Sequence, residues 1–432
     1  MTDTAQTAPR VPKRVAAVIL NSLKGGVVPR IGLPYITVGR EVEIRALLTD
    51  LDLIADGGAS FRFLVGRYGA GKSFLLQTIR THAMGENFVV ADADLSPERR
   101  LQGGQGQGLA TYRELIRNLS TKTRPEGGAL GLILDRWVAH VDEAAEGDGL
   151  ARARASVAHL EELVHGFDFA RMLARYYQAC AEGDDEMKSS VARWLRGEFR
   201  TKTEAKSELG TSVIITDDDW YDYVKLIAAF LVGAGYRGLL VLIDELVNLY
   251  KIPNAITRQY NYEKILTMYN DTLQGKAHYL GIIMGGTPTS IEDRRRGVFS
   301  YEALRSRLTQ GRFAREDMRD MLAPIIRLHP LTYEELLVLI EKLAQIHAGY
   351  FGYQNTVTDE DLAAFLQIEF GRVGADTHLT PREVIRDFIE LLDIAYQNPD
   401  QDISALLRDE GAVAGAGQPA AAEDAPFAEF TI

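Results

Sequence analysis

Cysteine is almost missing from this 432-residue sequence. Cys180 stands alone, which excludes an internal disulfide and a cysteine-built zinc site and fits a reducing compartment. Its ordinary role is that of a small buried apolar residue. Also missing is any apolar run of about eighteen residues, so no membrane-spanning helix is expected. The run Val15 to Leu20 is too short for the hydrophobic part of a secretion signal and leads into Asn21-Ser22-Leu23-Lys24 without a small-residue cleavage site. A cytoplasmic protein with no membrane association is therefore expected. An excess of basic charge is lacking as well: 60 acidic against 48 basic residues give a net charge of −12. Such a chain is repelled on average by nucleic acid, so contact with DNA is possible only through a local basic surface or an assembled oligomer. No internal repeat is visible. What is present, 46 % hydrophobic and 25 % charged residues, is an ordinary globular composition at a length that holds two or three domains.

The stretch around which the chain is organised is Phe61 to Ser73, FRFLVGRYGAGKS. A short apolar strand (Phe63, Leu64, Val65) runs into Gly66-Arg67-Tyr68-Gly69-Ala70-Gly71-Lys72-Ser73, and Phe74, Leu75, Leu76 and Ile79 follow at helical spacing. The pattern G-x-x-x-x-G-K-[ST] between a strand and a helix is a phosphate loop: successive backbone N–H groups turn inward around a phosphate, which a Cβ would obstruct, and the helix N-terminus adds positive potential. In such a loop Lys72 reaches the β- and γ-phosphates and Ser73 ligates Mg²⁺. Gly66, Tyr68, Gly69, Ala70, Gly71, Lys72, Ser73 and Phe74 are the candidate nucleotide-binding set, with ATP and Mg²⁺ as cofactors.

The rest of the chain is organised about this loop. Residues 1 to 13 are polar and expected to be disordered, Arg14 to Lys24 reads as a helix stopped by Gly25-Gly26, and a second amphipathic helix runs to about Ile54. Asn87 to Ala91 is a second strand, broken by Asp92, Asp94 and Pro97, and residues 102 to 108 form a flexible glycine-rich loop. From about Leu109 to Phe199 the sequence is nearly all helix-period, with Arg200 to Ser212 a candidate linker. This predicts a helical insertion at about 109–212 within the nucleotide domain. A helix from Trp220 to Val232 precedes the buried strand Gly238 to Asp244; a helix around Tyr262 to Leu273 precedes the buried strand Tyr279 to Met284; and Ile325 to Leu328 reads as a last strand. Helix starts after Leu331 are announced by capping boxes: Thr332 with Glu335, Thr358 with Asp361, and Thr380-Pro381-Arg382-Glu383. The chain after about Gln401 is Ala-, Gly- and acid-rich and expected to be mostly disordered.

Apolar strands separated by helices, the first feeding a phosphate loop, predict an α/β parallel sheet with nucleotide at the carboxyl ends of the strands. Asp244 and Glu245 end such a strand: the aspartate is placed to hold the Mg²⁺ shell and the glutamate to deprotonate the attacking water. Thr287 ends the next buried strand, where a hydroxyl can bond the γ-phosphate or the water; turn chemistry beside Pro288 explains it too. Arg305 and Arg307 can serve a neighbouring subunit's ATP or line a solvated helix face.

With these residues in view, the sequence resembles the AAA+ ATPases, in the branch of the origin-recognition and replication-initiator proteins. The resemblance implies a P-loop AAA+ sheet at residues 36–328, an N-terminal tail and helix at 1–35, a helical lid at 329–400 and a tail at 401–432. It makes Val38-Gly39-Arg40-Glu41 the segment against adenine, Gly66 to Ser73 Walker A, Asp244-Glu245 Walker B, Thr287 sensor 1, Ser306-Arg307 the arginine finger and Arg382 sensor 2. More narrowly, Asn21 to Arg30, Gly71 to Phe74 and Thr380 to Asp387 are similar to the ATP-binding proteins of bacterial BREX phage-defence systems, most nearly their short form. The resemblance implies an oligomeric ATPase that remodels or loads a partner on DNA alongside other defence proteins such as a helicase. A slow regulatory switch that recruits partners through its insertion is the alternative. Two departures stand out: initiators have no such insertion, and the stretch after about position 400 is too short for their winged-helix domain.

Overall fold

Short apolar runs closed by turn residues become the strands, and they assemble as the sequence predicts. In the computed structural model, which describes residues 11–143, 148–309, 311, 319–371, 380–401 and 403–408, the strands are β1 (Ala59–Val65), β2 (Val89–Asp94), β3 (Leu239–Asp244), β4 (Leu280–Gly286) and β5 (Ile325–Arg327). They form one sheet in the order β2-β3-β4-β1-β5, each neighbour pair parallel. Register sets Val65 beside Gly286 and Asp94 beside Asp244, so the carboxyl ends of β1, β2, β3 and β4 lie at one edge. The fold is thus α/β, with helices on both faces.

Alternate strand residues serve opposite faces. Leu64, Val90, Leu240, Leu242 and Ile283 pack against Leu47, Leu51 and Ile54 of α3 (Glu41–Ala55) and Leu75, Leu76 and Ile79 of α4 (Lys72–Gly85). Phe63, Val89, Val241, Ile282 and Met284 face the other way. There they join the helices between β2 and β3: α5 (Gln107–Arg117), α6 (Leu130–Glu143), α7 (Gly149–Val157), α8 (Gly166–Glu182), α9 (Asp185–Leu195), α10 (Lys202–Leu209) and α11 (Trp220–Gly233). The segment expected as an insertion lies in this connection. Its core is continuous with that of the sheet: Trp137, Trp194 and Trp220, at 0 %, 1 % and 1 % exposure, belong to the same buried cluster as Phe63 and Met284. Aromatic pairs such as Trp137–Phe230, 5.7 Å between centroids, and Trp194–Tyr223, also 5.7 Å, fill it edge to face.

Two sequence expectations fail here. Arg200 to Ser212 is no linker: α10 occupies it, capped by Thr201, whose Oγ1 accepts from Glu204 N, and held by Arg193 bonded to Glu204 and Glu208. Nor is the glycine-rich loop free to flex. Buried Asn261 accepts from the amides of Leu101 and Gln102 at 2.9 and 3.0 Å, and Asp217 accepts from those of Gly106 and Leu109, both at 2.7 Å.

After β3 come α12 (Val247–Tyr250) and α13 (Ala255–Leu273), and after β4 come α14 (Pro288–Glu292) and α15 (Glu302–Leu308). The chain divides into two units, Arg40–His329 with the sheet, and Met1–Gly39 together with Pro330–Ile432. In the second unit α1 (Lys13–Lys24) and α2 (Leu33–Ile36) join α16 (Tyr333–Phe351), α17 (Asp359–Gly371) and α18 (Pro381–Gln397). The N-terminal helix therefore shares a unit with the expected lid helices: α1 packs on α16 and α18, and Lys24 pairs with Asp393 at 2.5 Å. All three capping pairs form, Glu335 accepting from Thr332 N at 2.8 Å, Asp361 from Thr358 N at 2.9 Å and Glu383 from Thr380 N at 3.0 Å. Residues 403–408 are helical with Ile403 and Leu407 buried, so that part of the expected tail is ordered; the rest of it, 409–432, and the N-terminal tail 1–10 lie outside the described residues.

Candidate nucleotide site

The loop after β1 has the backbone its glycines require. Gly69 and Gly71 hold φ of +75° and +93°, conformations that L side chains rarely adopt. Gly66 is constrained by space instead: a Cβ there would stand 3.3 Å from the Cβ atoms of both Ala70 and Leu328. Lys72 opens α4, and its Nζ donates to the carbonyls of Gly66 and Arg67 at 2.8 and 2.9 Å, spanning the loop. The same ammonium lies 5.5 Å from the centroid of the exposed Tyr68 ring. Partial burial, then the charges of Glu245 and Asp244, push the Tyr68 hydroxyl above its usual pKa, which places this ring near both acids.

Across the edge of the sheet, Ser73 Oγ donates to Asp244 Oδ2 at 3.1 Å, joining residues 171 positions apart. The other carboxylate oxygen, Oδ1, accepts from Glu245 N at 2.8 Å. Room for this carboxylate is made by Gly285 on the adjacent strand, where a Cβ would come within 2.2 Å of Asp244 Oδ1. Glu245 has φ of +62°, a left-handed conformation that costs a non-glycine residue of order 1–3 kcal/mol. It is held by bonds from Leu246 N to Gly285 O, 3.1 Å, and from Asn248 N to Glu245 O, 2.9 Å. Strain of this kind concentrates at functional sites.

A third acid, which sequence reasoning treated only as a strand breaker, joins them. Asp94 ends β2 in register with Asp244. Desolvation, followed by the charges of Asp244, Asp92 and Glu245, raises its pKa, while Arg99 opposes the rise. The pairing of two acid-tipped strands was the signal that could have found it, had strand order been known.

A hard cation with oxygen ligands fits this place: a hydroxyl and a carboxylate oxygen stand 3.1 Å apart beside a phosphate loop. Among the described residues no cluster of three or more His, Cys, Asp or Glu could hold a metal by itself.

The remaining expected residues are placed as follows. Thr287 caps α14, accepting from Ser290 N at 3.1 Å while Ser290 Oγ accepts from Thr287 N at 2.9 Å, so turn chemistry does use its side chain. It follows β4, which lies between the phosphate-loop strand and the acid strand, and is buried. Arg307 donates to Ala303 O of its own helix at 2.8 Å, and Arg305 pairs with Glu302 at 3.6 Å. Val38 and Gly39 belong to the unit holding the expected lid helices; Gly39, with φ of +66°, abuts Glu335 of α16. Arg382 lies in the first turn of α18, with its Cδ against Gly26. Arg40 is the surprise: it is 5 % exposed, and its Nη2 donates to Ala70 O in the phosphate loop at 3.1 Å and to His329 O at 3.0 Å.

Among the described residues no helix is long and apolar enough to cross a membrane. A search of curated proteins returns no match. Residues 11–411 match the family described as BREX system ATP-binding protein BrxC/D. The similarity read from the Asn21, Gly71 and Thr380 segments holds at the level of the family, and with nearly its whole length matched, the chain belongs to the BrxC/BrxD family of BREX system ATP-binding proteins.

Proposed function

We propose that this chain is a cytoplasmic, Mg²⁺-dependent ATPase of the AAA+ type that couples ATP binding and hydrolysis to loading or remodelling of a partner on DNA in BREX defence. The observation that carries the reading is the Ser73–Asp244 contact at 3.1 Å, which unites the phosphate loop with the acid pair. Ser73 and Asp244 would hold Mg²⁺, which when bound would supply neutralisation of the charge developing at the γ-phosphoryl group. Gly66 to Ser73 would wrap the phosphates with backbone N–H groups, and Lys72 would exchange its two carbonyl partners for phosphate oxygens. Glu245 would accept a proton from water as the water oxygen bonds to the γ-phosphorus and the bond to the β-bridging oxygen breaks, releasing ADP and phosphate. Arg382 would respond to the γ-phosphate from the lid helices, and Arg307 would complete the site of a neighbouring copy in a homo-oligomer. Other defence proteins, a helicase among them, are the proposed partners.

The regulatory-switch alternative draws support from one feature: an open groove of about 570 Å³ on α7, α8 and α9, where Arg154, Arg171 and Arg175 accompany the exposed Phe167, offers a partner a charged and apolar surface. Turnover separates the two. For a DNA-coupled ATPase, phosphate release is stimulated by DNA, and Glu245→Gln keeps ATP affinity while abolishing release. Slow turnover indifferent to DNA selects the switch, and undiminished turnover by Glu245→Gln removes that residue from the base role.

A further inference from the structure

The unit that holds the phosphate loop connects to the rest of the chain at two places, Gly39–Arg40 and His329–Pro330. Both are tied to the phosphate loop. Where the loop begins, Leu328 N donates to Val65 O at 2.8 Å, so the chain leaving β5 runs against the last residue of β1. Where the loop ends, Nη2 of Arg40 bridges two carbonyls, Ala70 O at 3.1 Å and His329 O at 3.0 Å. The path Val65, Leu328, His329, Arg40, Ala70 thus closes a hydrogen-bonded ring around the loop, and the ring contains both points at which the chain crosses to the other unit. Gly66 lies inside it with no spare room, since a Cβ there would be 3.3 Å from that of Leu328.

Burying a guanidinium at 5 % exposure is costly unless its N–H groups are bonded. Two of the carbonyls receiving them belong to the phosphate loop and to the segment that follows β5, so the geometry ties one to the other. A phosphate entering the loop would re-aim its N–H groups and draw Lys72 from the carbonyls of Gly66 and Arg67. The peptide at Ala70 then cannot turn without pulling on Arg40.

We infer that Arg40 is a positioning residue that couples occupancy of the phosphate loop to the two interdomain crossings, so that ATP tightens the chain at Arg40 and at Leu328 to Leu331. Arg40 acts here through its side chain and through the loop, and this role is separate from any contact of the Val38 to Glu41 backbone with adenine. The inference rests on the ATP-binding reading.

The test is amide hydrogen exchange of the full-length protein with and without saturating ATP and Mg²⁺, with ATP affinity measured separately by calorimetry. In the wild type, ATP slows exchange in peptides spanning Ile325 to Glu335 and in those starting at Arg40. In Arg40→Ala, ATP affinity falls about tenfold, the order expected for lost hydrogen bonds from a charged donor. At ATP concentrations that restore saturation, the phosphate-loop peptide is still protected while the Ile325 to Glu335 peptide no longer responds. Arg40→Lys, which keeps the charge but lacks a planar fork to bridge two carbonyls, restores stability without restoring the response at both crossings. If Arg40→Ala fails to fold, Arg40→Lys alone decides the matter. Equal protection of Ile325 to Glu335 in wild type and variants overturns the inference, as does a wild type that binds ATP with no response there. A wild type that does not bind ATP overturns the underlying reading instead.

Discussion

Gly285→Ala tests whether the acid site depends on space reserved by a neighbouring strand. The added Cβ would stand 2.2 Å from Asp244 Oδ1 and 2.9 Å from its Cγ. Ordinary non-bonded separation is about 3.5 Å, so the carboxylate must retreat by on the order of 1 Å. It cannot do so and keep both the 2.8 Å bond from Glu245 N and the 3.1 Å contact with Ser73 Oγ. A displacement of that size in a catalytic group costs about 10²-fold in rate. The matched control is Gly281→Ala on the same strand, whose Cβ would meet Ile54 Cδ1 at 2.5 Å and Leu240 Cδ1 at 3.0 Å, the ends of flexible side chains. Both substitutions overpack a core and cost about 1–3 kcal/mol of stability. Phosphate release is measured across a Mg²⁺ titration, with thermal unfolding alongside. Gly285→Ala loses about 10²-fold in turnover and needs more Mg²⁺, whereas Gly281→Ala loses stability and keeps its turnover. Normal turnover by Gly285→Ala would refute the reasoning, and equal losses in both variants would trace the effect to folding rather than to Asp244.

Lys72→Ala abolishes tight ATP binding, because it removes the cation that spans the loop; calorimetry that finds unchanged affinity would take Lys72 out of the phosphate site. Arg307→Ala mixed with Lys72→Ala restores part of the turnover that each lacks alone, and specific activity of the wild type rises with protein concentration; flat activity and no rescue rule out a shared site. His347, fully buried against Tyr353 and Asp393, has its pKa lowered from 6.5 chiefly by desolvation, with Asp393 opposing and Lys24 adding to the drop. The unfolded chain therefore takes up a proton at about pH 6.5 that the folded chain accepts only at lower pH, so stability declines as pH falls below about 6.5. His347→Gln flattens that decline in thermal scans, and an unchanged pH slope would assign it to other groups.

The features legible in the sequence are those whose physics is local. The phosphate loop is contiguous, its glycines are required by its own φ angles, and the strand before it and helix after it follow from periodicity within a dozen residues. The capping pairs at Thr332, Thr358 and Thr380 involve partners three positions apart. By the same standard α10 was readable and was missed: Thr201 and Glu204 form the same pattern, but only Ala205 and Leu209 of this helix are buried, too few to show a periodic face. The glycine-rich loop misled for the opposite reason. Its composition favours flexibility, and what removes that freedom is supplied by Asp217 and Asn261, 108 to 160 positions away.

The acid half of the site shows where locality ends. Asp244 announced itself as the polar end of an apolar strand, yet what fixes its carboxylate is the missing side chain of Gly285, and a glycine in an apolar strand reads equally well as a loosely packed residue. Asp94 acquires meaning only because β2 lies beside β3, an adjacency separated in the chain by the whole helical segment from α5 to α11. Arg40 was singled out for its sequence neighbours, while its guanidinium bonds to residues 30 and 289 positions distant. In each case the residue type is unremarkable and the strand order makes it matter. Placing β4 between β1 and β3 brings Gly285 against Asp244, and placing β5 on the far side of β1 brings His329 within reach of Arg40. The residues expected to grip nucleotide are thus held in place by residues whose importance the topology creates, and substitutions at Gly285 and Arg40 probe that support directly.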